Sequence, residues 1–150
     1  MESNHQHIFL HAAPAGVMSR SLQIFLKAEL GEVEIHQSYS YMEMMSKLTQ
    51  TVPQVLIIDV DLTGINVMDN RLLSDLVKTI RDITEDLILI FLVNNIAQKN
   101  AVNAFGEKHA FLKGVQDEQL LGVCAMVHSD KEVVERGKIY RPFRYDLNSL

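Results

Sequence analysis

The chain has 150 residues, a length that fits one domain with a single core. Hydrophobic residues make up 47% of it and charged residues 22%, near the globular average, which excludes disordered, collagenous and low-complexity classes. With 19 acidic residues against 14 Lys and Arg, the formal charge is -5; the chain as a whole shows no electrostatic footprint for a phosphate backbone and is not expected to bind DNA on its own.

Short apolar runs alternate with stretches of helical spacing. The first run, His7 to Ala12, predicts a strand. The wider segment Ile8 to Val17 is weakly apolar, but no basic residue precedes it and Pro14 and Gly16 interrupt it, so it is not read as a signal peptide. Met18, Leu22, Phe25 and Leu26 follow with helical spacing, then a strand over Val33 to His36. Ser38 or Ser40 can cap a second helix carrying Tyr41, Met44, Met45 and Leu48. Pro53 precedes a third strand, Val55 to Asp59, where its missing N–H does little harm. A third helix is predicted around Leu72, Leu76, Ile80 and Ile83, and a fourth strand over Leu87 to Val93, closed by Asn94-Asn95. A fourth helix through Ala97, Ala101, Ala104 and Phe105 leads to a fifth strand, His109 to Leu112, and a last helix with Leu120, Cys124 and Val127. Residues 1–136 read as the domain and 137–150 as a tail or linker stub. This alternation argues for an α/β fold with a parallel sheet and helices on both faces, since parallel neighbours need long, right-handed crossovers. Leu87 to Val93, the longest strongly apolar run, is far shorter than the ~20 residues that span a bilayer. The lone Cys124 excludes an internal disulfide and suits a reducing compartment, with the cytoplasm as the expected location.

In such a sheet the binding crevice lies beyond the carboxyl ends of the strands. Asp59 ends a buried apolar strand, so its carboxylate must be paired, solvated or functional; capping its own loop is the plain alternative. Lys113 closes the fifth strand and can reach the same crevice, where an ion pair with Asp59 relieves the burial.

Pro53 through Asp59 followed by Leu62-Thr63-Gly64 and Asn66, then Ala110-Phe111-Leu112-Lys113, then Gly137-Lys138-Ile139-Tyr140-Arg141-Pro142 together resemble the receiver domains of bacterial two-component response regulators, specifically those of LuxR-type (NarL/FixJ) transcription factors. The resemblance implies a flavodoxin-like three-layer fold with a five-stranded parallel sheet in the order 2-1-3-4-5. It places Asp59 at the phosphoacceptor position, Phe111 at the switch aromatic and Lys113 at the essential lysine.

Departures from that pattern bear on the chemistry. A phosphorylating receiver needs an acidic pair after the first strand to hold magnesium with the acceptor Asp, and here that turn reads His11-Ala12-Ala13-Pro14-Ala15. The hydroxyl residue expected after the fourth strand has Val93 as its counterpart, which donates no hydrogen bond. Asp61 is a spare carboxylate from the same loop and does not replace the pair. The expectation is therefore a degenerate, or pseudo-receiver, domain. It would be a non-catalytic signalling module of a bacterial transcriptional regulator, without a cofactor or metal, acting through contact with a second copy or another regulatory protein. The helices at Gln116 to Val134 and Ile96 to Phe105 are the candidate dimer surfaces. The rival reading is an active phosphoacceptor that uses Asp59. A third is a cyclic-dinucleotide sensor built on the tail, where Tyr140, Arg141, Phe143 and Arg144 interleave cations with aromatics.

Other constellations are weaker. His5, His7 and His11 are spaced like metal ligands but read as solvated polar residues near a frayed terminus. Cys124 reads as a core thiol. Tyr41, Met42, Met44 and Met45 form a soft cluster that reads as core, with an adaptable contact surface as the alternative.

Overall fold

Strands buried on both faces need apolar side chains at both parities, and the sequence supplies them in β1 (His7–Ala12), β2 (Val33–Ser38), β3 (Val55–Asp59), β4 (Ile88–Val93) and β5 (His109–Leu112). The computed structural model describes residues 7–31, 33–114 and 120–125. All strand pairs are parallel, in the order β2-β1-β3-β4-β5. The helices α1 (Val17–Leu30), α2 (Tyr41–Thr51), α3 (Asn70–Ile83) and α4 (Ile96–Phe105) form the crossovers, and residues 120–125 are helical. The tail from Gly137 onward and the proposed boundary at 136 lie outside the described residues, as do Tyr140, Arg141, Phe143 and Arg144.

Strand alternation sorts the core into two layers. On one face Leu10, Leu56, Ile58, Phe91 and Val93 pack with Met44 and Leu48 of α2, with α3, and with Val102 of α4. On the other face Phe9, Val55, Ile57, Ile90, Leu92 and Phe111 pack with Leu26 of α1 and with Leu120, Leu121 and Cys124. Cys124 is fully buried, and desolvation pushes its thiol up to about 12, which leaves it protonated and inert at neutral pH.

Local signals set the element ends. Ser40 caps α2 by accepting from the Glu43 N–H, while the Glu43 carboxylate accepts from the Tyr39 N–H. Asp69 caps α3 by accepting from the Arg71 and Leu72 N–H groups, and Asn95 caps α4 by accepting from the Gln98 N–H.

Three expectations shift. In α3 the buried stripe is Leu73, Leu76, Val77 and Ile80, not one running through Leu72 and Ile83, which are exposed. Leu76 and Ile80 belong to both sets, but the buried stripe runs i, i+3, i+4, i+7 from Leu73, whereas Leu72 and Ile83 lie on its exposed margins. His7 belongs to β1 and is buried, as is His11, so neither is a solvated terminal residue; His5 lies outside the described residues. Of the methionine cluster, Met44 is core and Met42 is exposed, while Tyr41 and Met45 pack at the margin. Among the described residues, no helix is long and apolar enough to cross a membrane.

Val52, the α2 C-cap, has φ 48° and ψ 67°, a left-handed conformation that crowds a β-branched side chain. Its side chain is largely exposed and contributes little packing. Val52→Gly should therefore stabilise the protein by about 0.5 to 1 kcal/mol, the relief of Cβ crowding less the backbone entropy of glycine. Urea unfolding reads this as a higher midpoint at unchanged slope; a lower midpoint would contradict it.

Candidate functional site

Three strand ends converge at the carboxyl edge of the sheet. Asp59 is the last residue of β3, Lys113 follows β5, and Asn94 follows β4, which lies between them. The backbone of β4 fixes their spacing: Leu92 accepts from the Val60 N–H and Val93 from the Lys113 N–H, each at 3.0 Å.

Lys113 Nζ lies 2.6 Å from Asp59 Oδ1 and 2.6 Å from Asp61 Oδ2, bridging a buried carboxylate and an exposed one. Asp59 Oδ1 also accepts from the Asp61 N–H at 2.8 Å, an Asx-type turn that brings Asp61 round to the same ammonium. Burial works against the Lys113 charge, but hydrogen bonds and attraction from Asp59 and Asp61 outweigh it and raise its pKa above the ordinary lysine value. Hydrogen bonds from Lys113 and then from Asn94 lower the pKa of Asp61.

Asn94, which reads from sequence only as part of the pair closing β4, is a member of the site. Its Nδ2 donates to Asp61 Oδ1 at 2.9 Å, and its backbone N–H donates to Gln98 Oε1 in the first turn of α4. Val93, taken as the counterpart of a hydroxyl residue, is buried in the layer facing α2, α3 and α4. The polar donor after β4 is thus Asn94, one residue later, where the strand ends. Phe111 packs on the α1 face with Leu92 and Cys124, whereas Ala110 belongs to the layer that holds Val102 of α4.

Beneath the ion pair, on the α1 face, a cavity of about 190 Å³ opens. Its strand-end walls are His11, Asp59, Leu92 and Lys113 with Gly114. Ser19, Ser21, Leu22 and Phe25 of α1 and Leu120 complete it. His11 is 1% exposed. Burial lowers its pKa, opposed by its hydrogen bond to Gln37 and by the charge of Asp59, so the ring is neutral at pH 7. Gln37 Nε2 donates to the Ser38 carbonyl, which leaves Gln37 Oε1 to accept from His11 Nδ1–H at 3.0 Å.

A receiver-type magnesium ion does not fit this donor set. The residues at the end of β1 and just after it that would hold it with Asp59 are Ala12, Ala13 and Pro14, which have no side-chain oxygen, and Ala12 and Ala13 are buried. Among the described residues, no three His, Cys, Asp or Glu side chains are disposed to bind a metal ion.

No protein-family model matches the chain, and no curated relative matches it. Its fold is that of response regulator receiver domains. The signal receiver domain of a DNA-binding response regulator from Colwellia psychrerythraea superposes with a TM-score of 0.66 at 16% identity, covering 83% of this chain and 99% of that one. A LuxR-family DNA-binding response regulator from Staphylococcus aureus gives 0.58 at 18% identity, over 79% of this chain and 97% of that one. RcsB, solved as two dimers bound to two parallel DNAs, gives 0.64 at 18% identity, over 91% of this chain but 63% of the longer RcsB chain.

Lys113→Met would leave Asp59 buried and uncompensated, and should destabilise the protein by about 2 to 4 kcal/mol at pH 7. The pH dependence follows from the shifts. The raised Lys113 pKa contributes stability that is complete below pH 10.5 and lost as pH rises through the folded value. The lowered Asp61 pKa contributes stability present above pH 3.8 and lost as pH falls through its folded value, although exposure of Asp61 keeps that share small. Denaturation of both proteins across pH should show their difference shrinking at either extreme. A difference independent of pH would contradict the ion pair.

Proposed function

We propose that the chain is a receiver-like signalling module of a bacterial transcriptional regulator that works by protein contact and not by phosphoryl transfer: a pseudo-receiver. The observation that carries this reading is the state of Asp59. Its Oδ1 accepts from Lys113 and from the Asp61 N–H, while the turn after β1 lacks the acids that would hold a divalent cation beside it. An incoming phosphoryl group would meet a lysine already engaged by two carboxylates and a turn after β1 without acids to hold a cation against its charge. The receiver fold and the LuxR-family member among its structural neighbours support a place in a LuxR-type regulator.

Contact in place of phosphate implies an interface. RcsB, which shares the fold, is dimeric on DNA, and self-association of this chain is the corresponding expectation. Of the two surfaces named from sequence, α4 exposes Ile96 as its large apolar residue, and most of 116–134 lies outside the described residues. The reading of the tail as a cyclic-dinucleotide site lies outside them too.

Incubation with a small phosphodonor and magnesium, followed by intact-mass measurement beside Asp59→Asn, should show no adduct on either protein. A stoichiometric adduct on the wild type that the variant lacks would establish the rival reading, an active phosphoacceptor.

Self-association is tested separately. Light scattering of the full chain should give a dimer that persists to micromolar concentration, as expected for an interface burying roughly 1,200 to 2,000 Å². A monomer at every concentration would leave contact with a different regulatory protein as the mode of action.

A further inference from the structure

The cavity beside Asp59 has a chemistry of its own, independent of whether the carboxylate is ever phosphorylated. Its polar lining consists mostly of acceptors. Asp59 Oδ1 is taken by Lys113 and the Asp61 N–H, and Oδ2 has no protein donor among the described residues. His11 commits its Nδ1–H to Gln37, so the ring nitrogen left for a group in the cavity is Nε2, a lone pair without a proton. Ser19 turns its hydroxyl proton back to the Gly16 carbonyl at 3.0 Å and presents lone pairs in turn. His11, Asp59 and Ser19 are each more than nine-tenths buried. Opposite them Leu22, Phe25, Leu92 and Leu120 form an apolar wall.

Charge points the same way. Among the described lining residues Asp59 and Lys113 carry charge, and Lys113 is shared with Asp61 outside the cavity, so the three groups together carry a net of -1. The volume of about 190 Å³ exceeds the roughly 150 Å³ of an apolar cavity that takes up benzene. Buried acceptors without donors and a net negative field favour a ligand that brings both N–H groups and positive charge.

We propose that this cavity is a binding site for a small amphipathic organic cation: a primary ammonium that donates to Asp59 and His11, on an apolar body of about benzene size packed against Leu22, Phe25, Leu92 and Leu120. The site assigns a chemical input to a module that the reading above leaves without one, and it stands whether or not that reading holds.

Benzylamine, protonated at pH 7, serves as the probe, with benzyl alcohol and benzoate as uncharged and anionic shapes of the same size. Titration of the full chain, followed by amide chemical shifts, should give saturable benzylamine binding below about 10 mM, at least tenfold tighter than benzyl alcohol, with benzoate weaker still. The shifts should centre on His11, Ser19, Leu22 and Phe25. Asp59→Asn should weaken benzylamine about tenfold or more and leave benzyl alcohol unchanged. The variant should stay folded because Lys113 keeps Asp61, which circular dichroism checks. Absence of saturable benzylamine binding to the wild type, affinity for benzyl alcohol or benzoate equal to that for benzylamine, or shifts centred elsewhere would each overturn the proposal.

Discussion

The ammonium of Lys113, held between Asp59 and Asp61, is the contact on which the carboxyl end of the sheet depends. β3 is buried along its whole length, so the charge at its end has little water to stabilise it. Its counter-ion comes from β5, and the two strands are not neighbours: β4 lies between them and orders both ends through the carbonyls of Leu92 and Val93. The pairing therefore requires the strand order and register of the whole carboxyl half of the sheet. A slip of one residue in β4 or β5 would turn Lys113 to the opposite face and strand Asp59 without a partner.

Much of this was legible from residue types and spacing. β1, β3 and β5 fall where the apolar runs place them, and Asp59 and Lys113 meet because each ends a strand on the same edge of a parallel sheet. Two of the features that escaped lie in the turns just beyond a strand. Asn94-Asn95 read as a strand-closing pair, which it is for Asn95, the α4 cap, whereas Asn94 turns toward Asp61. Asp61 read only as a spare carboxylate of the same loop, but residues 60 and 61 turn, and the turn is what delivers both carboxylates to one lysine. His11 gave no sequence signal beyond its spacing to His7, because burial and a glutamine partner on the adjacent strand are tertiary facts.

A turn after β1 without acids and an Asp59–Lys113 pair at the ends of β3 and β5 are physically consistent. Without acids in that turn there is no carboxylate cluster for a cation to balance, and Lys113 alone neutralises Asp59 in its buried position. The Asp59–Lys113 pair is therefore accounted for by stability alone. Asp61 adds a second, exposed carboxylate at the same 2.6 Å from the ammonium, so the donors of Lys113 are divided between two partners.

The two oxygens of Asp59 divide the site. Oδ1 belongs to a hydrogen-bonded chain that runs through Lys113, Asp61 and Asn94 to Gln98 in the first turn of α4. Oδ2 stays outside that chain, and Asp59 and His11 both line the cavity on the α1 face. Any group that changes the charge on Asp59 changes the strength of its bond to Lys113, and Lys113 then shifts its balance toward Asp61. Since Asn94 holds Asp61 and Gln98 holds Asn94, that rebalancing ends at the surface of α4. A double-mutant cycle between Asp59 and Asn94 measures how much free energy the chain transmits, because side chains in one connected network depart from additivity by about 0.5 to 3 kcal/mol while independent ones do not.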